Sequence, residues 1–157
     1  MKILALDQAA KTGWSIFDNT ILVAYGIIDY SKINDVIERN SKLKKAIMKL
    51  IRKYKPEVFV LEDIQYQKNI LTYKQLARLL GTIENYFFER KYAFEIVKPG
   101  EWRKTCHIKG RKRKEQKRNA QLWVKKYFNI HVSEDEADAI CIGWHMVKKM
   151  GLDKTEK

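Results

Sequence analysis

Cysteine, proline and glycine are all scarce in this chain of 157 residues. Two cysteines, Cys106 and Cys141, cannot form a disulfide framework, which excludes the small cross-linked secreted class. Two prolines and seven glycines leave no room for a linker or a low-complexity stretch. Long apolar runs are missing as well: none approaches the roughly 18 residues of a membrane span, so no membrane partner is expected. The opening run Ile3-Leu4-Ala5-Leu6 closes at Asp7, where a signal peptide needs about 7–15 apolar residues. A soluble, cytoplasmic protein is the expectation.

Acid is the other shortage. Nineteen Asp and Glu face 32 Lys and Arg, a formal charge of +13, which favours a polyanionic partner. The excess is concentrated. Positions 103 to 118 hold Arg103, Lys104, Lys109, Arg111, Lys112, Arg113, Lys114, Lys117 and Arg118, opposed only by Glu115. Hydrophobic residues at 45% are enough to fold the chain despite this charge. Its length suits one domain, residues 1–150, followed by a frayed tail over 151–157.

Apolar periodicity divides the domain. Residues 2–7, 12–17 and 21–28 read as three antiparallel strands, with Asp18-Asn19 as a turn. Over 34–54 the period becomes helical: Ile33, Val36, Ile37, Leu43, Ile47, Leu50, Ile51 and Tyr54 share a face opposite several lysines. Pro56 ends that helix, and Val58-Phe59-Val60-Leu61 forms a buried strand closing at Glu62. A helix over 70–91 has Leu71, Leu76, Leu79, Leu80, Ile83, Tyr86 and Phe87 available for its inner face. Residues 92–97 are the last strand, and helices follow through Trp102, over 114–128 and over 133–150. This order predicts an α/β fold with a mixed five-stranded sheet and helices on both faces. Right-handed crossovers put the strand of Glu62 beside that of Asp7, as in a ribonuclease H-like fold.

Acids then stand where packing alone would not choose them. Asp7 and Glu62 close two apolar strands predicted to be parallel neighbours, so both fall at one sheet edge. Asp135 and Asp138, three apart, share a face of the last helix. About four carboxylates brought together repel unless cations intervene. Oxygen donors without histidine suit Mg²⁺ or Mn²⁺ rather than Zn²⁺. Two such ions roughly 4 Å apart suit phosphodiester hydrolysis. A plainer reading of each acid exists. Strand ends often carry turn acids, and Ser133 with Glu136 forms a capping box in which Glu134 and Asp135 are also favourable. Asp138 falls past the first turn and resists that reading.

These residues resemble the RuvC family of Holliday-junction resolvases, in a phage-type branch. Ile3-Leu4-Ala5-Leu6-Asp7 with Thr12-Gly13-Trp14-Ser15 resembles the family's first strand, catalytic Asp and Thr-Gly turn. Glu62-Asp63-Ile64-Gln65 leading to Lys68-Asn69 resembles its Glu motif and the opening of the next helix. Asp135-Glu136-Ala137-Asp138-Ala139 resembles the closing Asp-x-Ala-Asp-Ala. The resemblance implies a homodimeric, Mg²⁺- or Mn²⁺-dependent endonuclease that cuts four-way DNA junctions symmetrically and leaves 5′-phosphates. Asp7, Glu62, Asp135 and Asp138 would be its catalytic metal ligands, with two ions per site and Asp7 shared. Arg103 and Lys114 fall where the family places lysines. With Lys109, Arg111, Lys112, Arg113, Lys117 and Arg118, and with Lys68 and Tyr66 after Glu62, they are the expected DNA contacts. A phage-encoded member would act in the cytoplasm of a bacterial host.

Two departures from the family bear on specificity. Gln65 stands where members carry an aromatic residue, with Tyr66 beside it. The run from Lys109 to Arg118 is more basic than the family's, which adds phosphate affinity without base readout. Leu71, Tyr73 and Phe88 are candidates for contact with a second copy. The residues also admit a nuclease of the same fold acting on other branched DNA or on RNA, and a non-catalytic basic DNA-binding protein. Cys106-His107 lacks the second pair of ligands a zinc site needs. Trp123 and Trp144 read as core or dimer contacts rather than base-stacking platforms.

Overall fold

The computed structural model describes residues 1–154. Strands β1 (Lys2–Asp7), β2 (Lys11–Asp18) and β3 (Ile21–Asp29) form an antiparallel meander. Strands β4 (Val58–Glu62) and β5 (Ala93–Val97) add in parallel on the other side of β1, in the order β3-β2-β1-β4-β5. The central strand β1 has neighbours on both edges and helices on both faces. Its residues Ile3 to Leu6 are fully buried, which is why it is one unbroken apolar run. Successive side chains serve opposite layers: Ile3 and Ala5 join one core cluster, Leu4 and Leu6 the other.

Helices α1 (Val36–Tyr54) and α2 (Ile70–Glu89) cover the Leu4 and Leu6 face. Asp35 and Asn69 cap them, each side chain accepting a backbone N–H in the first turn. The other face holds α3 (Pro99–Thr105), α4 (Arg113–Phe128) and α5 (Glu134–Lys149). Helix α5 lies directly on β1 and β2. Two glycines permit the approach: a Cβ on Gly13 would lie 2.0 Å from the Asp135 carbonyl oxygen, and one on Gly143 2.7 Å from the Phe17 ring. The buried Ser15 hydroxyl donates to the Ala139 carbonyl at 2.7 Å and ties strand to helix.

The five-stranded order and both-face covering agree with the sequence expectation, and the differences are local. Ile37, read as inward, is 71% exposed, and Leu71, offered both for the inner face and as a contact with a second copy, is 64% exposed. Each is the second residue of its helix. The tail expected to fray from residue 151 is ordered at its start. Leu152–Lys154 forms a 3-10 turn, Leu152 packs on the core and Asp153 pairs with Lys148. Positions 155–157 of that expectation lie outside the described residues. Trp123 and Trp144 pack with Phe17 and Phe128 in an aromatic cluster, as core rather than as platforms. Cys106 is buried against the Cys141 carbonyl and His107 is exposed, so the two adjacent residues share no site. No helix among the described residues is long and apolar enough to cross a membrane.

Candidate active site

Parallel pairing of β1 with β4 sets Leu6 opposite Leu61, so the next residues, Asp7 and Glu62, leave the sheet side by side. Antiparallel pairing sets Asp7 opposite Gly13, whose missing side chain admits the first turn of α5. That turn carries Asp135 and, one turn on, Asp138. Ser133 is its N-cap: the hydroxyl accepts the Glu136 N–H at 3.3 Å, and the Glu136 carboxylate accepts the Ser133 N–H at 3.2 Å. Glu136 is thus occupied as a capping residue. Asp135 and Asp138, about 60° apart on the helix, are free to face the strands.

A cleft opens where these elements meet. Asp7, Glu62 and Asp138 line it with Asp63, Gln65, Gln67, Trp102, Arg103, Arg113, Gln116 and Lys117. Burial raises the proton affinity of all three principal acids. Asp7 is pushed up to about 6, by burial first and then by the charge of Asp135, against the pull of Lys117, Arg113 and Arg103. Glu62 is pushed up to about 8, by burial and then by Asp7, although the Trp102 hydrogen bond opposes the shift. Asp138 also rises to about 8, by burial and then by Asp7, with Lys117 and Arg103 opposing. The acids burden one another, since the charge of Asp7 adds to the rise of the other two. Such mutual repulsion marks a site suited to added positive charge.

Two residues that the sequence reading did not place hold Glu62. Gln8, 6% exposed, uses its amide to donate to the Glu62 carbonyl and to accept the Glu62 N–H at 3.2 Å. Trp102 donates its indole N–H to the Glu62 carboxylate at 2.5 Å. Gln8 follows Asp7 directly, a position that could have flagged it, whereas Trp102 is 40 residues from Glu62 and only the fold joins them.

The basic segment divides. Arg103, Arg113 and Lys117 face the cleft, and Lys117 is fixed by an ion pair with Glu134 at 3.2 Å. Lys109, Arg111, Lys112, Lys114 and Arg118 are exposed outside it. Lys114 follows Arg113 by about 100° of helix turn, so Arg113 takes the cleft-facing place. Glu115 accepts the Arg111 backbone N–H, while Gln116 and Asn119 donate to the Gly110 and Lys109 carbonyls. These bonds order the loop beneath its cations. Tyr66 and Lys68 stand exposed on the loop after β4, with Tyr66 80% exposed and its ring 6.2 Å from Tyr73.

Among the described residues, no three His, Cys, Asp or Glu side chains are close enough to hold a metal ion as they stand. The donor set nonetheless suits a hard divalent cation. It is all oxygen, it sits half-buried, and its members repel one another without one. Carboxylates on two adjacent strand ends and a facing helix of a ribonuclease H-like sheet, beside a basic rim, suit metal-assisted phosphodiester hydrolysis. Comparison with known proteins narrows this. The family profile described as "Crossover junction endodeoxyribonuclease RuvC" matches residues 3–144, and the chain belongs to that family. The crossover junction endodeoxyribonuclease RuvC of Fusobacterium nucleatum is 29% identical, across 96% of this chain and 82% of its own. The Rickettsia typhi protein of the same name is 24% identical, across 92% of this chain and 95% of its own. Among solved structures, T. thermophilus RuvC in complex with Holliday junction substrate superposes with a TM-score of 0.78. It is 14% identical, across 97% of this chain and 98% of the other. The Fowlpox virus resolvase with its Holliday junction DNA gives 0.64 at 16% identity, across 96% and 99%.

Proposed function

We propose that this chain resolves four-way DNA junctions by paired, symmetric phosphodiester hydrolysis that leaves 5′-phosphates. The arrangement that carries this reading is the set of acids on β1, β4 and α5 beneath a rim of Arg103, Arg113 and Lys117. Asp7, Glu62, Asp135 and Asp138 would hold the ions, Mg²⁺ or Mn²⁺ and two per site, and the mutual influence of Asp7 with Glu62 and with the α5 acids supports that set. Divalent ions held there would supply positive charge toward the phosphate and a bound water of lowered pKa. The protein's own part is positional. Arg103, Arg113 and Lys117 draw a phosphate to the cleft, and the exposed cations of residues 109–118 supply salt-sensitive affinity for the flanking backbone. Tyr66 and Lys68, exposed on the loop after β4, would add DNA contacts.

Symmetric cutting needs two sites related by a twofold axis, and therefore a homodimer. The exposed apolar residues of α2 support one, because Ile70, Leu71 and Phe88 are all left uncovered on that helix. Tyr73 is half-buried beside Tyr66 and contributes less. Incubating four-way, forked, linear and RNA:DNA hybrid substrates side by side with Mg²⁺ tests the whole reading. Paired nicks confined to the four-way junction support it. Preferred cutting of hybrid or forked substrates moves the activity to another nuclease of this fold, and binding without cutting leaves a non-catalytic DNA-binding protein.

A further inference from the structure

Glu62 is held twice over, by two residues that do different things. Gln8 clamps its backbone at both N–H and carbonyl. That alone would fix where β4 ends but leave the carboxylate to rotate. Trp102, 1% exposed, takes one carboxylate oxygen, Oε2, at 2.5 Å and so sets the side chain independently of the strand. A buried indole N–H needs an acceptor, but a backbone carbonyl would satisfy it equally well. Here the acceptor is the one carboxylate on β4 that lines the cleft.

The indole is also the right kind of donor. A lysine or arginine in its place would bring a positive charge to the carboxylate and compete with a cation. An indole N–H orients the oxygen and carries no charge. Its own position is tightly determined. Trp102 sits in α3, which opens at the buried Pro99, its ring belongs to the core cluster under α5, and the Arg103 guanidinium lies 5.2 Å from its ring centre. The same short helix therefore presents the indole to Glu62 and the guanidinium to the cleft.

We infer that Trp102 is a positioning residue for Glu62: its indole N–H occupies Oε2 and turns the remaining oxygen toward the divalent-cation site. This rests on the proposal that Glu62 is a metal ligand, and the test separates the two. The protein is labelled with ¹⁵N at its tryptophan indoles and titrated with Mg²⁺ in the absence of DNA, and Mn²⁺ binding is measured by electron paramagnetic resonance for wild type, Trp102→Phe and Glu62→Gln. One indole N–H signal, lost in Trp102→Phe and displaced in Glu62→Gln, should move on Mg²⁺ addition. Trp102→Phe should bind Mn²⁺ about tenfold more weakly, the scale of removing a partner behind a metal ligand, and raised Mg²⁺ should restore its cleavage rate. If Trp102→Phe binds Mn²⁺ as wild type does while Glu62→Gln does not, the positioning role is overturned and the metal reading stands. If Glu62→Gln binds normally, both fall. If Trp102→Phe does not fold, the wild-type signal decides, and an indole that ignores Mg²⁺ overturns the inference.

Discussion

Asp7, Glu62 and Asp138 sit half-buried in a cleft, each pressed toward its neutral form, whereas Arg111, Lys112, Lys114 and Arg118 stand exposed on a loop and helix beside it. The acids come from three parts of the chain that only the sheet and α5 bring together. The bases come from one continuous stretch and need little beyond a helix to display them. Change in the first region is therefore expected to be all-or-none, because each acid depends on the others and on the packing beneath. Change in the second should be graded and sensitive to salt.

Asp138→Asn should break the contrast most severely, eliminating turnover while leaving junction binding intact in a gel-shift assay on the same preparation. It should also alter the response to pH. With Glu62 and Asp138 raised to about 8, the folded metal-free protein holds more protons than the unfolded chain from about pH 4 to pH 8, so stability falls as pH rises across that window. Mg²⁺ replaces those protons, so the rise in Tm that it causes should be larger at pH 8.5 than at pH 6. Asp138→Asn should flatten both dependences. An equal Mg²⁺ effect at the two pH values would mean that the acids are ionised before metal arrives.

Gly13→Ala tests whether the cleft depends on close packing more than on its acids. A Cβ there meets the Asp135 carbonyl at 2.0 Å, so the first turn of α5 must move off β2. Denaturant unfolding should show a loss of about 3 kcal/mol, at the upper end for overpacking, together with strongly reduced cleavage. A tolerated Gly13→Ala would show that the helix is not held as tightly as its packing implies.

The basic region should split where the structure splits it. Arg111→Ala with Lys112→Ala should weaken binding to all DNA and lower the log–log salt slope by up to about 0.9 for each phosphate no longer neutralised, with little effect at saturating DNA. Arg113→Ala should cut less even at saturation, and more so than Lys114→Ala, because only Arg113 of that pair lines the cleft. Equal effects of the two would erase the distinction between rim and surface. Smallest of all, Glu136→Gln should cost at most about 1 kcal/mol in Tm-derived stability and leave turnover nearly intact, as a capping residue among metal-ligand candidates would.

Much of this was legible before folding. Strand β1 is a continuous apolar run because it is buried on both faces. The capping box at Ser133 and Glu136 phases α5, and so separates Asp135 and Asp138 from their acidic neighbours. Alternation and helical period depend on local geometry, which every stretch of sequence carries within itself. Ile37 and Leu71 show where that ends, because an apolar residue on a predicted inner face is buried only if another element reaches it.

The sequence by itself determined the elements, their order, the strand-end acids and the concentration of charge over 103–118, since each follows from nearest neighbours and short periods. Tertiary structure alone decided which groups answer one another across the chain. It paired Trp102 with Glu62, set Arg113 rather than Lys114 toward the cleft, gave Lys117 to Glu134, and turned Gly13 from a turn residue into the gap that admits α5. Those outcomes depend on the meeting of segments distant in the chain, and on the burial that raises the acids' proton affinity. No local pattern encodes either.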